Sequence, residues 1–123
     1  LDIAHMKQVK ISLLVTLLSV FSSTTALAAK PITIDQQNYI KATLEPNLLD
    51  PDSAKYKFPD YIESESTYCF QLNATNLYGG YTGYRWVQIP YKSIVSKEKN
   101  VPVDINILPK EVFEESCKEI GYK

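Results

Sequence analysis

An apolar run near the start of this chain decides how much of it is left to fold. Lys7 and Lys10 follow Met6, an apolar segment runs from Ile11 to Phe21, and Ser22 to Thr25 lead into Ala26-Leu27-Ala28. A basic start, an apolar middle and an A-x-A end are the three parts of a secretory signal peptide. The run falls short of the roughly 20 residues that cross a bilayer core, so a cleaved leader is expected rather than an anchor, with cleavage after Ala28 or Ala29. Residues 1–28 are assigned to the leader and the sequence upstream of it, and residues 29–123 to a single small domain. About 95 residues suffice for one core and not two. The product is expected in the periplasm or outside the cell, with no membrane anchor once the leader is gone.

Export changes how the other residues are read. Cys69 and Cys117 are the two cysteines, and in an oxidising compartment an even number reads as a disulfide. The loop closed would hold about 48 residues, which the chain-entropy model values at on the order of 4 kcal/mol. The single histidine, His5, lies upstream of the leader. Its loss excludes histidine acid–base chemistry, Ser-His and Cys-His nucleophiles and His-containing zinc sites.

Lys7, Lys10 and Asp2 also leave, so the formal charge of −1 for the whole chain becomes about −2. That balance gives no footprint for nucleic acid or anionic membranes. Glu63, Glu65, Asp104, Glu114 and Glu115 show no spacing that singles out a catalytic pair. No metal spacing appears, and no cofactor is expected.

Along the mature chain, Thr33 or Asp35 can cap a helix carrying Ile34, Tyr39, Ile40 and Leu44, which Pro46 should stop near Leu44. Asp50-Pro51-Asp52-Ser53 reads as a turn or a single helical turn. Tyr56 and Phe58 alternate with Lys55 and Lys57 as a short half-buried strand before Pro59. Ile62 to Thr67 reads as a polar loop. Val101, Val103, Ile105 and Ile107 alternate with polar residues and Pro102, predicting another strand. Pro109 opens a C-terminal helix with Phe113, Cys117 and Ile120 on its apolar side and Gly121 at its end. The expected fold is α+β: an N-terminal helix, an antiparallel sheet of three to four strands, and a C-terminal helix tied by the disulfide.

Thr67 to Tyr91 is the most informative stretch. Gly79-Gly80 suits a two-residue hairpin turn, since both positions accept positive φ. That turn places Leu72 opposite Val87, Phe70 opposite Ile89 and Tyr68 opposite Tyr91. The intervening pairs are Thr75–Tyr84, Asn73–Trp86 and Gln71–Gln88. The aliphatic residues then share one face. Gln71, Asn73, Thr75, Tyr84, Trp86 and Gln88 form the other, and the candidate binding residues are Gln71, Asn73, Tyr84, Trp86 and Gln88 with Tyr81 beside the turn. Amides and rings on one sheet face suit recognition of sugars or peptides, and the commoner role of such residues is to cover half-buried sheet surface or lie under the C-terminal helix. Cys69 falls on this polar face, so its bridge requires that helix to reach the same side. The glycine segment lacks the Lys-Ser/Thr of a phosphate-binding loop.

Asp50-Pro51-Asp52-Ser53-Ala54-Lys55-Tyr56, with Cys69, Asn73-Ala74-Thr75-Asn76 and Tyr78-Gly79-Gly80-Tyr81-Thr82-Gly83-Tyr84, resembles a group of small bacterial exported proteins of uncharacterised function. These share a D-P-x-S-A-x-aromatic turn and a Cys…N-A-x-N-x-Y-G-G-Y-x-G segment. The resemblance covers roughly residues 35 to 90, with Phe70 and Thr75 standing where the group has Gly and Lys. It implies export and fold, and carries no activity. The expected function is a non-enzymatic exported module that binds a protein or envelope component. The competing expectation is an inhibitor or immunity protein against a cell-wall hydrolase or delivered toxin, since a rigid loop binds with little ordering cost.

Overall fold

Thr33 starts the first helix by satisfying its free amides. Its hydroxyl accepts the Gln36 N–H at 3.1 Å, and the Gln36 side chain accepts the Thr33 N–H at 3.0 Å, a complete capping box. Such caps contribute about 1 kcal/mol. The computed structural model describes residues 29–105 and 108–123, and the leader assigned to 1–28 lies outside the described residues. Helix α1 spans Ile34–Leu44, burying Ile40 and Leu44 one turn apart. A 3₁₀ turn carrying Pro46 follows over Glu45–Asn47, and Pro51–Ser53 forms a second.

Strands β2 (Lys55–Lys57), β4 (Thr67–Asn73) and β5 (Arg85–Pro90) form an antiparallel sheet with β4 in the centre. Between them, β3 (Tyr61–Ile62) pairs with β1 (Ala29–Lys30) as a small ribbon, so the loop expected from Ile62 onward begins with a strand residue. The Lys30 ammonium meets Glu63 at 2.7 Å beside it.

The β4–β5 register corrects the sequence expectation by two residues. Phe70 faces Val87, Tyr68 faces Ile89 and Leu72 faces Arg85, while Cys69 faces Gln88 and Gln71 faces Trp86. A two-residue shift keeps every side chain on its own face. The division into faces is therefore as expected, but the individual pairs, such as Phe70–Ile89 and Asn73–Trp86, are not formed.

The reason lies in the turn. The Gly79 N–H donates to the Asn76 carbonyl at 3.0 Å, and the Asn76 N–H to the Gly80 carbonyl at 2.8 Å. The loop is Leu77-Tyr78-Gly79, with Gly79 at φ 78°: three residues ending in a left-handed glycine, not a Gly79-Gly80 pair. On the returning strand Gly83, at φ 93°, takes up one extra residue. Thr75 bridges Tyr81, yet Leu72 lies opposite Arg85, the signature of a bulge.

Two further expectations are overturned. Tyr91 does not extend the hairpin but begins helix α2 (Tyr91–Ser96), which buries Ser93 and Ile94. Val101 to Ile105 forms no strand. Val101 and Val103 are half-buried against the core and Ile105 is buried, while Pro102 is exposed. Alternating apolar residues record which side of a segment is covered, not whether its backbone joins a ladder, and Pro102 brings no N–H to one. Asn106 and Ile107 lie outside the described residues.

Helix α3 (Lys110–Ile120) carries Glu111 in its first turn. It ends in a Schellman pattern: the Tyr122 N–H reaches the Cys117 carbonyl at 3.0 Å and the Gly121 N–H the Lys118 carbonyl at 3.1 Å. Gly121 has φ 120°, and Tyr122 is buried just beyond it. The Cys69–Cys117 disulfide pins α3 to the central strand, with 6.0 Å between the Cα atoms. The molecule is thus α+β with antiparallel sheets, helices and the expected bridge.

Candidate binding surface

The two sheet faces have different jobs. Tyr56, Phe70, Leu72 and Val87 belong to the core that also takes in Ile40 and Leu44 of α1, and the Lys41 ammonium of that helix stands 5.6 Å from the Tyr56 ring centre. Tyr56, Phe58 and Phe70 pack ring to ring, with centres 5.4–6.4 Å apart. Burial pushes the Tyr56 hydroxyl up to about 12, with Glu45 adding to the effect, and raises Tyr68 and Tyr122 in the same direction. The Tyr68 hydroxyl donates to the Pro59 carbonyl at 2.6 Å, and the Tyr122 hydroxyl accepts the Ile62 N–H at 3.3 Å. These phenols are structural, held neutral by the core they occupy.

The opposite face is the one the sequence offers for binding, and α3 divides it. At one end Cys69 is bonded to α3, and the Gln88 amide donates to the Ser116 hydroxyl at 2.7 Å. Trp86 is only 6% exposed and its ring lies 6.4 Å from that of Tyr122. Trp86 and Gln88 are therefore packing residues under the helix, which withdraws them from the expected binding set. The Gln88 amide faces α3, beside the disulfide that ties the helix to β4.

At the other end, strand pairing sets Lys57 beside Gln71 and Lys55 beside Asn73. The Lys57 ammonium sits 4.0 Å from the Tyr84 ring centre, and that of Lys55 4.4 Å from the Tyr81 ring centre. Cation–π contacts of this kind contribute about 0.5–1 kcal/mol each at exposed sites. Tyr81 is fixed at its far end, where its hydroxyl donates to the Ser53 carbonyl at 2.8 Å. The Asn73 carboxamide oxygen accepts the Gly83 N–H at 3.0 Å, tying the bulge to β4. Gln71, Asn73, Tyr81 and Tyr84 are thus brought together, joined by two lysines.

Beyond them the hairpin projects. Tyr78 is 94% exposed and Leu77 82%. The loop that carries them is internally braced, because the Asn76 carboxamide oxygen accepts the N–H groups of both Tyr78 (2.9 Å) and Gly80 (3.1 Å). A side-chain oxygen that bridges two loop amides fixes the turn without help from the rest of the fold. Large exposed side chains on a braced turn present apolar area at little further loss of conformational entropy.

Sequence reasoning undervalued Leu77, Lys55 and Lys57. Leu77 between Asn76 and a glycine turn was a legible signal, since nothing at a hairpin tip covers it. The strand alternation places Lys55 and Lys57 on one face, but the rings beneath them come from the other side of the hairpin.

No protein-family model matches the chain, no curated protein matches it, and no solved structure matches it. Among the described residues no helix is long and apolar enough to cross a membrane, and no cluster of three metal-ligating side chains occurs.

Proposed function

We propose that the mature chain is an exported, non-enzymatic binding module that seats its hairpin tip, Leu77 and Tyr78, in a pocket on a protein or other envelope component. The observation that carries this reading is the pairing of extreme exposure with internal bracing at the tip. The disulfide, which belongs to oxidising compartments, supports export after removal of a leader ending at Ala28 or Ala29. The group of small exported proteins that the sequence resembles supports the same compartment.

A protein pocket suits the tip better than a bilayer surface. Fully burying a side chain of the size of Leu77 contributes about 1.5–3 kcal/mol. Each lysine near an anionic bilayer contributes only about 1 kcal/mol, and a tip at headgroup depth stays partly hydrated. The inhibitor or immunity reading is the second one, and the braced tip also favours it. An apolar knob on a stapled scaffold can occupy an enzyme cleft without ordering itself first.

The test is site-specific photocrosslinking in the cell that makes the protein. A photoreactive phenylalanine replaces Tyr78 in one variant and Val112, an exposed apolar residue of α3, in another. The reading expects one discrete adduct from position 78 and none from position 112. Equal labelling from both, or no adduct from position 78, would exclude the tip as the docking element.

A further inference from the structure

From the lysine–tyrosine pairs behind the tip we infer that the partner presents carboxylates along an extended polypeptide segment running beside the hairpin. This rests on the tip reading only in sharing its surface. Lys55 and Lys57 are both exposed, and among the described residues neither is ion-paired. The paired lysines are Lys30, Lys97 and Lys118, each within 3 Å of a carboxylate. Lys55 and Lys57 instead lie over tyrosine rings, which orient an ammonium but leave its charge uncancelled. Their neighbours add donors. Asn73 has its oxygen occupied by Gly83, which leaves its amide nitrogen as the group unengaged by any described residue.

The geometry decides what kind of anion fits. A single phosphate needs donors converging on one point, as at a backbone nest. Here each ammonium is held over its own ring, two residues apart along one strand. The backbone positions of the two lysines are about 7 Å apart, and an extended chain repeats its side chains on one face at the same interval. Carboxylates at every second position of a partner strand therefore match both lysines at once. Edge lysines also discourage strand pairing, but that role requires only charge and no ring beneath it. The whole-chain charge of −1 includes a cluster of four glutamates on α3, Glu111, Glu114, Glu115 and Glu119, whereas no carboxylate is ion-paired with Lys55 or Lys57 among the described residues.

The experiment titrates the mature protein, residues 29–123, by NMR with three probes at low salt: a Thr-Glu repeat peptide, a polyphosphate chain, and vesicles rich in anionic lipid. The Thr-Glu peptide should shift the amides around Lys55, Lys57, Tyr81 and Tyr84. Its affinity should weaken at least tenfold in the K55Q/K57Q variant and fall as salt rises from 20 to 200 mM. A Val112→Ala variant, on the exposed side of α3, should bind the peptide as the native protein does, while the crosslink from position 78 reads the tip separately from the lysine site. Absence of binding at millimolar peptide overturns the inference. So does binding unaltered by K55Q/K57Q, or tighter binding of polyphosphate or vesicles than of the peptide.

Discussion

The two ends of one sheet face make an instructive pair. Both carry the same alternating run of amides and aromatic rings along β4 and β5. At the Cys69 end, Trp86 and Gln88 are closed beneath α3 and meet Tyr122 and Ser116. At the hairpin end, Tyr81 and Tyr84 lie beneath lysines and the tip stands free. The residue types are alike, and what separates them is a cover supplied by α3, whose Ser116 lies 28 residues beyond Gln88 and whose Cys117 lies 48 beyond Cys69. An amphipathic strand face is neither core nor binding site by composition. It becomes one or the other when a distant element does or does not reach it.

The comparison breaks most visibly at the bridge. Replacing both cysteines with alanine should lower stability by about 4 kcal/mol if the closed loop acts through chain entropy, read as a fall in urea midpoint. A loss under about 1 kcal/mol would mean that α3 holds its place by packing alone.

Trp86→Ala against Tyr84→Ala sharpens the contrast within one strand region. Emptying the covered end should cost about 3 kcal/mol, as for large aromatics in cores. Tyr84→Ala at the open end should cost under about 1 kcal/mol. Equal losses would erase the distinction between the two ends.

Gly83→Ala comes next. No atom lies within 4 Å of an added Cβ there, so the penalty is the backbone's alone at φ 93°, about 1 kcal/mol or more. Denaturation curves check it, and an unchanged midpoint would mean that the bulge does not need its glycine.

The gentlest effect is on alkaline stability. Tyr56, Tyr68 and Tyr122 have folded-state values raised chiefly by burial, so the folded protein holds their protons longer than the unfolded chain. Their contribution is complete below about pH 10, the unfolded value, and is lost as pH rises; for Tyr56 the loss spans roughly pH 10 to 12. Ultraviolet titration of the nine tyrosines should show a late-ionising fraction released only on unfolding. A single transition near pH 10 would contradict it.

Much of the architecture was legible in local chemistry. Thr33, one of the two caps the sequence offers beside Asp35, marks the start of α1, Pro46 its end, and Gly121 the end of α3. These signals are read within one or two turns of chain, where the interactions they describe are made. The faces of β4 and β5 were legible for the same reason, because alternation survives a two-residue shift. The register was not, since Gly79-Gly80 suits two turns and the side chain of Asn76 chooses between them. The strand expected from Val101 is absent over Val101 to Ile105, because alternation reports burial, which an irregular segment also achieves.

By itself, then, the sequence determined the α+β class, the caps and stops of the helices, and the two sheet faces, all set by contacts between near neighbours. Only the tertiary structure decided which half of the polar face is sealed and which tyrosines carry lysines. The first depends on where α3 lands, tied to β4 by a disulfide between cysteines 48 residues apart, and the second on β2 lying beside β4.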